Sequence, residues 1–360
     1  MKFGIMFDTH VDKWDLIRYA EELGYDAAWV PDSQMLWSDC YATLALAAVN
    51  TRRIRIGTGV AITGTRIAPV TAHSIASINQ LAPGRVFLGI GTGHTAMRVM
   101  GQDPMPLGEF REYLRVVRAL LHGQDVDYTY RGQTRNIAFL HRDRHFINLD
   151  PPIPIYVAAN GPLALKATGV HGDGWMAVTS DPAMVEDALT RIRQGAAAAG
   201  RQLPADFHTA CVTSTCVLRP GEKLTDDRVI DETGSMVTCV LHFAWEIWKQ
   251  HGEKDELIPP FFADVWERYC ERVASYSLPE AARFRQIHDG HCTFLQPEER
   301  CFVTPDAIRN SCIVGTPEEI RERVAALERT GIREVTLLPP ADHQRKVYRD
   351  FAEHVMPAFR

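Results

Sequence analysis

The strongest constraint in this chain is a rhythm of short runs, apolar on both faces, each followed by a stretch with helical periodicity. Lys2–Phe7, Asp26–Val30, Ile54–Val60, Arg85–Ile90, Ile153–Ala158, Gly174–Val178, Phe207–Leu218 and Glu334–Leu338 read as strands. The stretches Asp12–Leu23, Ser38–Val49, Pro69–Leu81, Leu107–Leu121, Leu163–Val170, Pro182–Ala199, Thr316–Thr330 and His343–Val355 read as helices. Strands covered on both faces are those of a parallel sheet. Eight such βα units predict a (β/α)8 TIM barrel, with an open doubly wound sheet as the alternative. The local punctuation agrees. Gly24 stops the first helix, Ser38 is a candidate N-cap, and Thr316-Pro317-Glu318-Glu319 supplies a cap, a proline at N1 and a capping-box glutamate. A hairpin is expected around Tyr128–Arg131.

The chain has 360 residues, more than the roughly 250 such a scaffold needs. Much of the surplus falls between strands 7 and 8, at 219–312. There the periodicity is helical over Val237–Gln250 and Phe261–Tyr276, and Phe243, Trp245, Trp248, Phe261, Phe262, Trp266 and Tyr269 recur. We read one domain over 1–360, with 219–312 as a helical insertion forming a lid over the C-terminal face. Most of its aromatic residues are expected to pack on one another. The net charge of −6, from 45 acidic and 39 basic residues, leaves no footprint for nucleic acid. No apolar run reaches the ~18 residues of a membrane span. The first residues read as a core strand and not as a signal peptide, so a cytoplasmic setting is expected. None of the eight cysteines forms a C-x-x-C pair, and free thiols are expected.

Reactive groups of such a barrel project from the C-terminal ends of its strands. Those ends carry Asp8 and His10, then Asp32, Ser33 and Trp37, then Gly59-Val60, then Gly91-Thr92-Gly93-His94, then Asn160-Gly161-Pro162, then Thr179 and Ser180. The glycines permit close backbone approach to a ligand. Asn160-Gly161-Pro162 opens a helix, and free N–H groups at a helix start suit a phosphate. No metal site is expected: His288-x-x-His291-Cys292 lies in the insertion without matching acidic partners. Neither a G-x-S-x-G elbow nor a P-loop is present.

Several stretches carry a family resemblance. They are Ala20-Glu21-Glu22-Leu23-Gly24-Tyr25-Asp26-Ala27-Ala28-Trp29-Val30-Pro31-Asp32, Ile54–Val60, Arg66–Ala72, Leu81–Gly93, Pro154–Pro162, Gly172–Gly174 and Val314–Glu319. Together they resemble the bacterial-luciferase-like flavin-dependent oxidoreductases, and within them the branch of methylenetetrahydromethanopterin reductase. The resemblance implies a TIM barrel with a flavin at its mouth and a non-prolyl cis peptide at Gly59-Val60 behind the ring. It places Gly91, Thr92 and Gly93 near the ring and its side chain. Asn160, Gly161, Pro162, Thr179 and Ser180 would lie at the phosphate. Two positions depart from the family. Ser33 stands where a histidine commonly follows the strand-2 acid, and His94 stands where the deazaflavin branch carries an acid. The catalytic candidates are therefore His94, His10 and Asp32, with Asp8, Ser33 and Trp37 in the substrate pocket. The leading expectation is a two-component monooxygenase that uses reduced FMN, supplied by a separate flavin reductase, and O2 on a small apolar or aromatic substrate. The alternatives are a reductase or dehydrogenase transferring hydride through an 8-hydroxy-5-deazaflavin coenzyme, and a non-catalytic flavin-binding barrel. The helices after strands 2 and 3 are expected to form a homodimer interface.

Overall fold

The computed structural model describes residues 1–178 and 181–360. Among the described residues, eight parallel strands close a barrel in chain order. They are β1 Lys2–Met6, β2 Ala27–Val30, β3 Arg55–Thr58, β4 Val86–Gly91, β5 Ile155–Ala158, β6 Gly174–Ala177, β7 His208–Val217 and β8 Glu334–Leu337. β8 closes on β1 with Lys2 opposite Glu334. The main helices are α1 Asp15–Leu23, α2 Cys40–Asn50, α3 Ala68–Leu81, α4 Leu107–Leu121, α5 Pro162–His171, α6 Pro182–Ala198, α7 Asp227–Gln250, α8 Ala263–Ala274, α9 Pro317–Thr330 and α10 Gln344–His354. The fold is the expected TIM barrel. No helix among the described residues is long and apolar enough to cross a membrane.

Two cores follow from two-sided strands. One side of each strand joins the outer helices through residues such as Ile5, Ile56, Leu88 and Ile155. The other fills the barrel with Met6, Trp29, Phe87, Tyr156 and Met176. Rings form the interior layer: Trp29 lies 4.4 Å from Phe87, Phe87 5.3 Å from Tyr156, and Tyr156 4.6 Å from His208. Glycines make the room. A Cβ on Gly57 would lie 2.3 Å from the Phe87 ring, and one on Gly174 2.6 Å from Tyr156. The strand-3 glycine at position 57 thus serves packing and not a ligand. Trp29 Nε1 donates to Glu334 Oε1 at 2.6 Å, and His208 Nε2 lies 3.2 Å from Oε2. Burial pushes the Glu334 carboxyl up, but these partners prevail and hold it at about 2.

One local reading changes, the expected hairpin forms, and one short strand is new. Ser38 does not cap α2. Its N–H is tied to the Thr9 carbonyl, the helix begins after it, and Asp39 accepts from the Ala42 N–H at 2.9 Å. The hairpin pairs Val126–Tyr130 with Gln133–Ile137, turning through Arg131 and Gly132, both at positive φ. A short strand, Cys312–Gly315, pairs in parallel with the outer end of β7. Its four residues are too few to announce themselves by periodicity.

Between β7 and β8 the chain runs through α7, α8 and several short helical turns. Trp248 meets Trp266 edge to face at 5.7 Å, Phe261 lies against Phe262 and Tyr269 against Phe302. Phe243 differs, standing edge-on to His94 at 5.0 Å.

Candidate active site

The C-terminal strand ends gather most of the candidate residues, in unequal states. Asp8 is buried, and Gln344 Nε2 donates to its Oδ1 at 2.6 Å; burial pushes its carboxyl above the ordinary value. His10 sits further out, paired with the exposed Asp12 at 3.0 Å. Asp32 is buried and fully partnered. It accepts from Arg66 Nη1 at 2.6 Å, Gln34 Nε2 at 2.5 Å and the Ile62 N–H at 3.2 Å. Arg66 in turn lies 4.7 Å over the Tyr41 ring. The Ser33 carbonyl receives the Trp37 N–H at 3.0 Å. Trp37 reaches the insertion, donating to Thr293 Oγ1 at 3.0 Å and stacking on His291 at 6.3 Å.

The peptide Gly59-Val60 is cis. Beside it, a Cβ on Gly91 would press on Val60 at 3.1 Å and on Ala158 at 3.4 Å. Gly93 takes φ +79° and precedes the short helix His94–Val99, while Thr92 lends its carbonyl to the Met105 N–H. Asn160, Gly161 and Pro162 are exposed where α5 begins, and a Cβ on Gly161 would meet nothing within 4 Å. The first N–H groups of a helix have no intrahelical partner, an arrangement that suits an anion. Thr179 and Ser180 lie outside the described residues.

His94 meets the insertion at the mouth, edge-on to Phe243. Its Nδ1 lies 3.3 Å from Glu246 Oε2, yet among the described residues neither ring nitrogen makes a hydrogen bond, and both are buried from solvent. Burial pushes its pKa below 6.5, and Arg98 and His288 add to that against the pull of Glu246. Glu246 also accepts from His288 Nε2 at 2.9 Å, with Arg98 Nε at 3.8 Å. Burial pushes the Glu246 carboxyl up, but His288, His94 and Arg98 outweigh it, so it stays ionised at neutral pH.

Sequence reasoning missed Glu246, His288 and Arg98. A signal existed: Cys239, His242 and Glu246 recur at helical spacing along α7, a polar stripe on an otherwise apolar helix. A surface cleft of about 660 Å³ is lined by Arg115, Arg118, His122 and His171, among others. It lies at the C-terminal ends of α4 and α5, the barrel face associated with stability and not with chemistry.

The family model for luciferase-like monooxygenases matches residues 12–334. The chain belongs to that family of oxidoreductases. It is 28% identical over 353 residues, 96% of each protein, to the 5,10-methylenetetrahydromethanopterin reductase of Archaeoglobus fulgidus. Shorter matches are closer. Identity is 36% over 206 residues to the same enzyme of Methanolobus tindarius, 56% of this chain and 61% of that protein. It is 36% over 203 residues to the F420-dependent glucose-6-phosphate dehydrogenase of Kineococcus radiotolerans, 52% of this chain and 58% of that protein. In these the chain spans about three fifths of the relative's length. The solved coenzyme F420-dependent tetrahydromethanopterin reductase of Methanopyrus kandleri shares the fold, with a TM-score of 0.72 at 23% identity over 100% of this chain and 99% of that one.

These relatives overturn the expectation of an FMN-dependent monooxygenase that draws on O2. That reading rested on the departures at Ser33 and His94, taken as loss of the acid/base pair. The structure shows why they misled: His94 finds its acidic neighbour, Glu246, on the insertion.

Proposed function

We propose that this protein is a coenzyme F420-dependent oxidoreductase, moving a hydride between the 8-hydroxy-5-deazaflavin coenzyme and a small organic substrate. The observation that carries the reading is its similarity, end to end, to a methylenetetrahydromethanopterin reductase and, over half its length, to a dehydrogenase named for F420. The mouth fits such a group. Gly91 keeps the floor between Val60 and Ala158 free of a side chain, the start of α5 is open, and His94 has two unsatisfied nitrogens. Gly59, Val60, Gly91, Thr92 and Gly93 would line the ring and its side chain. Asn160, Gly161 and Pro162 would hold the phosphate, with Thr179 and Ser180 assigned there by position in the chain. When bound, the coenzyme supplies a two-electron hydride acceptor or donor.

His94, neutral at pH 7, takes the hydroxyl proton of an alcohol substrate as hydride leaves the neighbouring carbon, and returns it in the reverse direction. Glu246 orients the imidazole and stabilises its protonated form, as His288 and Arg98 hold Glu246 in place. Asp8, Ser33 and Trp37 bound the substrate pocket. Asp32, consumed by Arg66, positions the strand-2 end, and His10 guards the rim. A separate flavin reductase has no part in this scheme. The cytoplasmic setting and a homodimer through α2 and α3 belong to the same proposal, as do a single domain over 1–360 and a lid at 219–312.

Titration of the apoprotein with each cofactor tests the reading. We expect saturable quenching of F420 fluorescence, with FMN bound at least about tenfold more weakly. Tight FMN binding with none of F420 would sink it.

A further inference from the structure

Beside the His94 cluster lies a second group that hydride transfer does not use. Cys239 on α7 and the consecutive His291 and Cys292 of the insertion bring their ligand atoms within 4.8 Å of one another. Cys292 Sγ and His291 Nε2 are 3.7 Å apart. A tetrahedral zinc centre, from Zn–S and Zn–N bond lengths, sets an S···N edge of about 3.6 Å and an S···S edge of about 3.8 Å. The Cys292–His291 edge matches that geometry, and all three ligand atoms lie within reach of one ion. Cys292 also adopts φ 52°, a left-handed conformation that a non-glycine residue keeps only where its surroundings hold it. Neither Cys239 nor Cys292 is in a disulfide.

We propose that Cys239, His291 and Cys292 form a binding site for zinc or a similar thiophilic divalent cation. Two thiolates and one imidazole match the softness of such an ion. Three protein ligands leave the fourth position to water or to a ligand donor atom. The centre joins the middle of α7 to the 288–293 segment. The His291 ring stacks on Trp37, so the cation sits next to the strand-2 end of the barrel and ties the insertion down over the mouth. The spacing His288-x-x-His291-Cys292 is uninformative alone, because the third ligand comes from a distant helix.

The site is tested on the full chain, without any coenzyme. Protein stripped with a chelator and kept reduced is titrated with Co(II) as a spectroscopic probe, then with Zn(II). We expect one equivalent of Co(II), with thiolate charge-transfer bands and the strong visible absorption of tetrahedral cobalt, displaced by one equivalent of Zn(II). Cys239→Ser and Cys292→Ser should each weaken binding by more than about 100-fold, beyond the cost of losing an outer hydrogen-bond partner. A second measurement needs no variant. Zinc should shield Cys239 and Cys292 of the unaltered protein from alkylation, read by peptide mass, while the exposed Cys301 reacts with or without it. Non-stoichiometric uptake, cobalt spectra lacking thiolate bands, or equal alkylation of Cys239 with and without zinc would each overturn the proposal. So would a Cys239–Cys292 disulfide in the isolated protein that takes up no metal once reduced.

Discussion

His94 holds one ring nitrogen 3.3 Å from Glu246, with neither nitrogen in a hydrogen bond among the described residues, and its burial sets the pH range in which it can accept a proton. Its folded pKa lies below 6.5, so the neutral imidazole persists at pH 6.5 and is lost only on further acidification. The acid limb of kcat/KM should therefore fall below pH 6.5 and disappear in His94→Ala, which should lose about 100-fold or more in kcat with KM changed less. A limb at or above pH 6.5 in the unaltered enzyme, or its survival in the variant, would remove His94 from proton transfer. Residues at strand ends were legible because the barrel places them there whatever the loops do. Their partners were not. Glu246, His288 and Cys239 reach the mouth through an insertion whose path no local pattern dictates, and only the helical stripe on α7 hints at which face turns inward.

Among elements, the contrast between two caps shows what a sequence can and cannot convey. Thr316 and Glu319 form both halves of the capping box expected of them, Thr316 Oγ1 receiving the Glu319 N–H and Glu319 Oε2 the Thr316 N–H. That motif is local, so its residues suffice to reveal it. Ser38 has equally good cap chemistry but is held by Thr9, and Asp39, which also meets Arg66 Nη2 at 3.1 Å, takes the role. Helix starts settled by tertiary partners are invisible to local reading. The Cys312–Gly315 strand is the same case, created by its pairing with β7. Thr316→Ala should cost about 1 kcal/mol, seen as a lower urea midpoint at unchanged slope. No shift in midpoint would mean that α9 is held by packing alone.

For the whole molecule, the open matter is assembly. Leu46 and Val49 on α2, and Val70 and Leu81 on α3, are exposed apolar side chains on neighbouring helices, a face suited to a second copy of the chain. Light scattering should give twice the chain mass, and Val49→Lys with Leu81→Lys should halve it. A monomeric unaltered protein would dispose of the homodimer. The barrel and its order of strands were legible because two-sided apolar runs leave few topologies open. Surface pairing was not, because small helical faces look the same packed inward or outward.

The layer of Trp29, Phe87, Tyr156 and His208, pinned by Glu334, stoppers the barrel below the mouth. A vessel closed at its base has one doorway. If two molecules meet at the strand ends, as the proposed hydride transfer requires, they pass through it in turn. The occupant lying deeper enters first and leaves last, so the sequence of arrivals and departures in each turnover is a matter of plumbing before it is a matter of affinity.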